Sequence, residues 1–334
     1  MPTRYSPRSW VRDDDAVTAT VADIGEFGLI ELLRQRFGSP EHLILGPGDD
    51  AAEVAAPGGS LLVSSDLLVE NRHFRRDWSS AHDVGRKAAA ANLSDINAMG
   101  GSATALTISL GLPATLEIAW VSELADGIAA ECAAVGAEVA GGDITAADQI
   151  IIAVSVLGTA DRPVRRDTGA AGDIVAVAGD LGLAGAGFAA LSRGFRSPRT
   201  AVDVHRVPHP PYAAGPQAAA AGATAMIDVS DGLLADLGHV ARASGVVIDL
   251  DTSAFDVPEP VATVAEALGG ADPLRFVLTG GDDYALAALF SPHSELPDGW
   301  TRVGLARHPG LDEEPTVLVD GSAYEGAPGH QHFR

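Results

Sequence analysis

Six times along this chain an apolar run gives way to glycine or serine and then aspartate. The segments are Gly48-Asp49-Asp50, Ser64-Ser65-Asp66, Ser94-Asp95, Gly141-Gly142-Asp143, Asp228-Val229-Ser230-Asp231-Gly232 and Gly280-Gly281-Asp282-Asp283. A fold that gathers these endings makes a pocket lined with carboxylates. Two like unit charges ~4 Å apart repel by roughly 4 kcal/mol at an effective dielectric of ~20, so such a pocket needs cations. Magnesium takes one or two carboxylates plus substrate phosphates. Calcium fits less well, because no segment has the alternating ligands and terminal Glu of an EF-hand loop. The pattern implies a Mg2+-dependent enzyme that handles a nucleotide.

Any one segment is weak, since Asp and Ser also cap helices and form turns. Asp231-Gly232 before a helix has that form; it is the recurrence that carries the reading. A lysine phosphate loop closes on Gly-Lys-Ser/Thr, but Lys87, the only lysine, follows Gly85-Arg86 inside a helical stretch. That mechanism is excluded, and no Rossmann glycine fingerprint opens a helix after the first strand. Nucleotide contacts must then run through metal bridges. Arg166 precedes a glycine-rich turn and is either a guanidinium clamp for phosphate or a solvated surface pair with Arg165. His73 lies just past a strand, although a lone histidine is more often not catalytic.

At 334 residues the chain exceeds the ~250–300 at which one core stops growing, which predicts two domains. We place a disordered leader at 1–20, a first domain at 21–160 and a second at 161–334. The net charge of −23 argues against nucleic acid and anionic membrane as partners. Cys132 is the only cysteine, expected as an inert buried thiol. No run approaches the ~20 apolar residues of a membrane helix, and residues 1–20 lack a signal-peptide core, so a cytoplasmic protein is expected.

Helices are predicted over 25–37, 83–99, 117–135 and 233–243. Strands are predicted over 43–45, 61–63, 103–110, 149–157, 174–178, 225–227 and 246–250, with 276–278 as a further apolar run entering its acidic segment. The interleaving gives an α/β (α+β) class. Residues 205–216, rich in proline, read as a mobile loop.

The segments, in this order, resemble thiamine-monophosphate kinases. The match begins at Gly25-Glu26-Phe27-Gly28 and runs through Gly48-Asp49-Asp50-Ala51-Ala52, Asn71-Arg72-His73-Phe74, Asn92-Leu93-Ser94-Asp95, Ile227-Asp228-Val229-Ser230-Asp231-Gly232-Leu233 and Gly280-Gly281-Asp282-Asp283-Tyr284, to His332-Phe333. The resemblance implies phosphorylation of thiamine monophosphate by ATP, with several Mg2+ ions. It also implies the two-domain aminoimidazole ribonucleotide synthetase-like fold, with N-terminal sheets joining across a homodimer. On it, Asp50, Ser64, Ser65, Asp66, Asp95, Asp143, Asp228 and Asp231 would hold metal. Gly142, Asp143, Arg166 and Ser230 would contact ATP, and His73, Asp282 and His330 the acceptor. The chain departs from the family's usual pattern at Asp282 (commonly Glu), Ala285 (commonly Glu) and Gly329-His330 (often an aromatic). A sister ATP-dependent enzyme of the same fold and a non-catalytic metal- or thiamine-phosphate-binding protein are the competing readings. Relatives that rely on a terminal cysteine or selenocysteine fit poorly, since Cys132 is mid-chain.

Overall fold

The computed structural model describes residues 43–45, 49–56 and 59–330. The predicted leader, the helix over 25–37, Gly48 and His332-Phe333 lie outside these residues. Within 41–330 the chain forms one compact unit built on two sheets.

The first sheet contains β1 (Leu43–Leu45), β2 (Ala52–Ala56), β3 (Gly59–Val69), β4 (Ser102–Leu112), β5 (Glu138–Ala146) and β6 (Ile151–Thr159). Their order is β1-β2-β3-β6-β4-β5, antiparallel except for β4–β5. Alternation sets its faces: Ile152, Val154 and Val156 of β6 are fully buried while their neighbours are not. The buried face is covered by α1 (Ala81–Ala98) and α2 (Ile118–Val135). A capping box starts α1, with Ser80 Oγ accepting from Asp83 N and Asp83 accepting from Ser80 N. Left-handed Gly136 (φ 74°) ends α2, a conformation that favours glycine. Cys132 is buried there, and burial pushes its thiol up, away from reactivity.

The two helices touch backbone to backbone. A Cβ at Gly85 would strike the Leu124 carbonyl, and one at Gly127 the His82 carbonyl. Alanine gains ~1 kcal/mol of helix propensity over glycine, but a collision with backbone exceeds the ~1–3 kcal/mol of ordinary overpacking. Gly85→Ala is therefore expected to lower unfolding stability by ~2 kcal/mol or more, read as a reduced urea midpoint; an unchanged midpoint would show that the helices can separate freely.

The second sheet contains β7 (Ile174–Ala178), β8 (Ala223–Val229), β9 (Val247–Leu250), β10 (Ala285–Phe290), β11 (Trp300–Arg307), β12 (Val317–Val319) and β13 (Ser322–Ala323), in the order β13-β12-β9-β11-β7-β10-β8. Every residue of β10 is buried. One face packs on α6 (Leu233–Ser244) through Leu233, Leu237 and Val240. The other packs on Ala98 of α1 and on α5 (Ala214–Ala220), so α1 contributes to the cores of both sheets. A fourth cluster joins α3 (Leu183–Ser192), α4 (Arg199–Arg206) and α7 (Glu259–Ala267).

Several acidic segments sit differently from expectation. Ser64-Ser65-Asp66 lies inside β3, which runs on to Val69 instead of ending at Val63. Gly141-Gly142-Asp143 is itself strand, in β5. The run at 276–278 belongs to a helix, α8 (Leu274–Thr279), and the strand follows the acidic segment as β10. Short apolar runs do not distinguish a buried helical turn from a strand. The proline-rich stretch is helical at both ends and anchored between them: Tyr212 Oη donates to Glu131 Oε1 at 2.7 Å, and Asn97 Nδ2 to the Pro211 carbonyl at 3.2 Å.

Candidate active site

Backbone hydrogen bonds tie the two C-terminal acidic segments together. Asp282 N donates to Ser230 O and Tyr284 N to Val229 O, each at 2.8 Å. The turn needs left-handed backbone at Asp282 (φ 65°) and Tyr284 (φ 51°). Gly281 lies so close to the Ser230 carbonyl that a Cβ would approach it to 2.6 Å. The segment after β8 is shaped from within: Asp236, in the first turn of α6, accepts from Ser230 N, Asp231 N and Gly232 N on one oxygen, each at 3.0 Å. His330 N donates to Asp231 O at 2.9 Å, bringing the 329–330 stretch onto the same loop.

The N-terminal segments meet on α1. Asn92 Oδ1 accepts from Asp66 N at 3.0 Å, fixing β3 against the helix. Ser64 Oγ lies 2.6 Å from Asp95 Oδ2 and 2.9 Å from the Asp50 carbonyl. One hydroxyl proton serves both contacts when Asp95 is protonated and donates to Ser64. Burial, then the charges of Asp66 and Asp228, push the Asp95 carboxyl well above its usual range, in keeping with that arrangement. The Ser65 hydroxyl turns to β6 instead and donates to Val154 O at 2.9 Å.

Arg166 crosses from the second half of the chain to the first. Its Nη2 donates to Asp50 Oδ1 at 2.6 Å, its Nε to Asp49 Oδ1 at 3.2 Å and its amide to Asp49 Oδ2 at 3.0 Å. The second Asp50 oxygen is buried without a hydrogen-bond partner among the described residues. Burial raises the Asp50 carboxyl despite Arg166, with Asp228 and Asp49 adding to the rise. Burial and the nearby Asp236 carboxylate push Asp228 up to about 7. Asp50, Asp66, Asp95 and Asp228, scattered along the sequence, therefore feel one another's charge.

This donor set fits a hard cation that keeps water and substrate oxygens in its shell. The unpartnered Asp50 oxygen and the raised carboxyls around it are compatible with a positive charge among them. Among the described residues no three His, Cys, Asp or Glu side chains are gathered closely enough to hold an ion by themselves, so phosphate or water oxygens would complete the shell.

A second centre lies beside the first. Lys87, with a side chain only 4% exposed, donates to Asp282 Oδ2 at 2.8 Å and to the His205 carbonyl at 3.3 Å. Burial alone would raise the Asp282 carboxyl, yet it is held below its ordinary range, with Lys87 the largest opposing influence and His73 near enough to act on it. Burial and Lys87 push the His205 imidazole down to about 3, so that ring is neutral at pH 7 and Lys87 is the effective cation. His73 Nδ1 accepts from Val69 N at 2.9 Å, which assigns a neutral ring's proton to Nε2. His205 stands against Trp78 and Phe188, with ring centroids 6.1 and 5.6 Å away.

Two expected residues stand apart within one chain. Asp143 is exposed on β5, opposite Ser109 of β4, which pairs with Ala153 of β6 and so with Leu67 of β3. Three strand spacings of ~4.8 Å put Asp143 about 14 Å from that position on β3. Gly142 lies beside it, where a Cβ would strike the Ile108 carbonyl. Asp283 is buried at the start of α3, accepting from Gly182 N at 2.6 Å and Ala184 N at 3.0 Å, a helix-capping position. Ala285 is fully buried at the start of β10.

Sequence reasoning missed Lys87, Asn92, His205 and Asp236. Lys87 carried a signal, being the only lysine, but it served only to exclude a phosphate loop.

The family profile for AIR synthase related protein, N-terminal domain, matches residues 48–160, and that for the C-terminal domain matches residues 170–289. Over 316 residues the chain is 45% identical to the thiamine-monophosphate kinase of Mycobacterium tuberculosis (strain ATCC 25618 / H37Rv), covering 94% of this chain and 93% of that one. Identity to the thiamine-monophosphate kinase of Corynebacterium glutamicum is 36%, over 90% and 94% of the two chains. A solved structure, AaThiL complexed with AMPPCP and TMP, superposes with a TM-score of 0.86 at 32% identity, covering 94% of this chain and 99% of that one.

Proposed function

The chain belongs to the thiamine-monophosphate kinase family and is a phosphotransferase; from that premise we propose that it moves the γ-phosphoryl group of ATP directly onto thiamine monophosphate, giving thiamine diphosphate. The acceptor is a phosphate monoester with a second pKa of about 6, hence mostly deprotonated at neutral pH. It needs no general base, and none is assigned. The obstacle is repulsion between two polyanions. Catalysis then rests on holding both in line and offsetting their charge.

Asp50, Ser64, Asp66, Asp95, Asp228 and Asp231 would hold Mg2+, whose charge would offset that of both phosphates. Arg166 orients Asp49 and Asp50 and is the guanidinium nearest the cluster's buried charge, while Ser230 lies at its C-terminal edge. His73 and Asp282 would orient the acceptor, with His330 on the loop beside them. The homodimer belongs to the same reading. β5 is an open edge with Val139 46% and Ile144 68% exposed, a surface that invites pairing by a second copy. Ser65, Gly142 and Asp143 would complete the metal and nucleotide contacts.

The observation that supports this reading most is the gathering of Asp50, Asp95 and Asp228, from three remote segments, into one buried cluster, where burial first and neighbouring carboxylates second push Asp228 up to about 7. Incubation with ATP, Mg2+ and thiamine monophosphate is expected to yield ADP and thiamine diphosphate in equal amounts, with no labelled protein from [γ-32P]ATP. Binding without turnover would defeat the activity, and a phosphorylated chain would defeat direct transfer.

A further inference from the structure

The chain's net charge of −23 opposes the approach of any phosphate compound, yet its basic residues are unevenly spread. Residues 72–78 carry Arg72, Arg75 and Arg76, and residues 193–199 carry Arg193, Arg196 and Arg199, with Asp77 as the only acid in either stretch. Remote in sequence, the two stretches meet in the fold. The Asp77 carboxyl is held below its ordinary range first by its hydrogen bond to Arg75, and it also feels Arg196. Trp78 packs edge-on against Phe188 of α3 at 6.0 Å. All six arginines are exposed.

Five of them divide into two sets. Arg75 is committed: it grips Asp77 through two bonds of 2.9 and 2.8 Å and lies over the Trp78 ring at 4.5 Å. Arg76 is paired with Glu70 at 2.6 Å. Arg193 and Arg196 instead reach only backbone carbonyls, those of Ala189 and Phe195. Arg193, Arg196 and Arg199 form no ion pair among the described residues. Between them Phe195 stands 52% exposed, as does Phe188 nearby. This basic, aromatic rim borders the Lys87–Asp282 centre, since His73 belongs to the first stretch and His205 touches both Trp78 and Phe188.

We infer that the 193–199 loop is an electrostatic entrance for the acceptor, a small aromatic phosphate monoester. Its unpaired guanidinium groups draw in the phosphate, and the exposed rings receive the aromatic body. Local positive potential at a cleft mouth raises association by ~10–10³-fold, an effect that salt removes. The inference rests on the reading that His73 and Asp282 face the acceptor.

The test is kcat/KM for thiamine monophosphate in the parent and in the triple variant Arg193→Gln/Arg196→Gln/Arg199→Gln. NaCl is varied from ~0.02 to ~0.5 M, shrinking the screening length from ~20 Å to ~4 Å. The variant is expected to be about tenfold slower at low salt and nearly flat with salt, converging on the parent at high salt. Its kcat and its KM for ATP should match the parent's. A salt-independent loss, an unchanged salt slope, or an equal loss toward ATP would overturn the inference. Turnover by the parent tests the activity separately. Should the parent bind without turnover, the same salt slopes are read from the association rate of thiamine monophosphate, followed by tryptophan fluorescence.

Discussion

Asp228→Asn is expected to make the metal-free protein more stable while slowing phosphoryl transfer by ~10³-fold or more. The two effects share one cause. In the folded chain burial and neighbouring carboxylates raise Asp228 from 3.8 to about 7, so folding favours its protonated form. Stability from this group is complete below about pH 4 and is lost as pH climbs toward 7. Asparagine carries no charge to crowd its neighbours and escapes that loss. The gain over the parent should open between about pH 4 and 7 and stay on the order of 4 kcal/mol above it. Thermal melts at pH 4 and pH 8 without divalent ions, beside turnover at saturating Mg2+, test both halves. A variant that melts like the parent at pH 8, or keeps near-parental turnover, would remove Asp228 from the proposed cation cluster.

Lys87→Met should have the second largest effect, and it should fall on the acceptor. Removing one member of a buried ion pair costs ~3–5 kcal/mol when both partners are enclosed. The Lys87 side chain is enclosed, but Asp282 is 39% exposed, and water moderates the loss toward ~2 kcal/mol. That loss is read in the urea midpoint, while the displaced Asp282 carboxylate is expected to raise KM for thiamine monophosphate by roughly tenfold and to leave KM for ATP little changed. The double variant Lys87→Met/Asp282→Asn separates position from stability. It should regain the parent's urea midpoint, because no unpaired charge remains, yet keep the high KM. A single variant with parental KM would show that Asp282 needs no lysine to hold it.

The acidic segments were legible as a set because aspartate after glycine or serine is visible in any reading, and their recurrence outweighs the turn chemistry of each one. For three of them the secondary structure was not. Ser64 to Asp66 continue a strand because β6 pairs with β3 from Leu62 to Val69, a non-local fact that a window of residues cannot contain. Asp283 belongs to the most recognisable segment of all, yet its carboxylate caps α3, a helix a hundred residues earlier in the chain. Asn92 and Lys87 act on segments that sit beside them only after folding, whereas Asp236 binds amides just four to six residues before it. Asp143 shows the reverse: its motif is plain, but register alone reveals how far β5 lies from β3.

The oxygen of Asp236 that collects three amides from residues 230–232 limits how this loop can greet a nucleotide. Convergent amides ahead of a helix commonly form a seat for a visiting oxyanion. Here the seat is already taken by a resident of the chain. Whatever phosphate arrives must be gripped through side chains or ions in front of the loop, because its amides are engaged by Asp236.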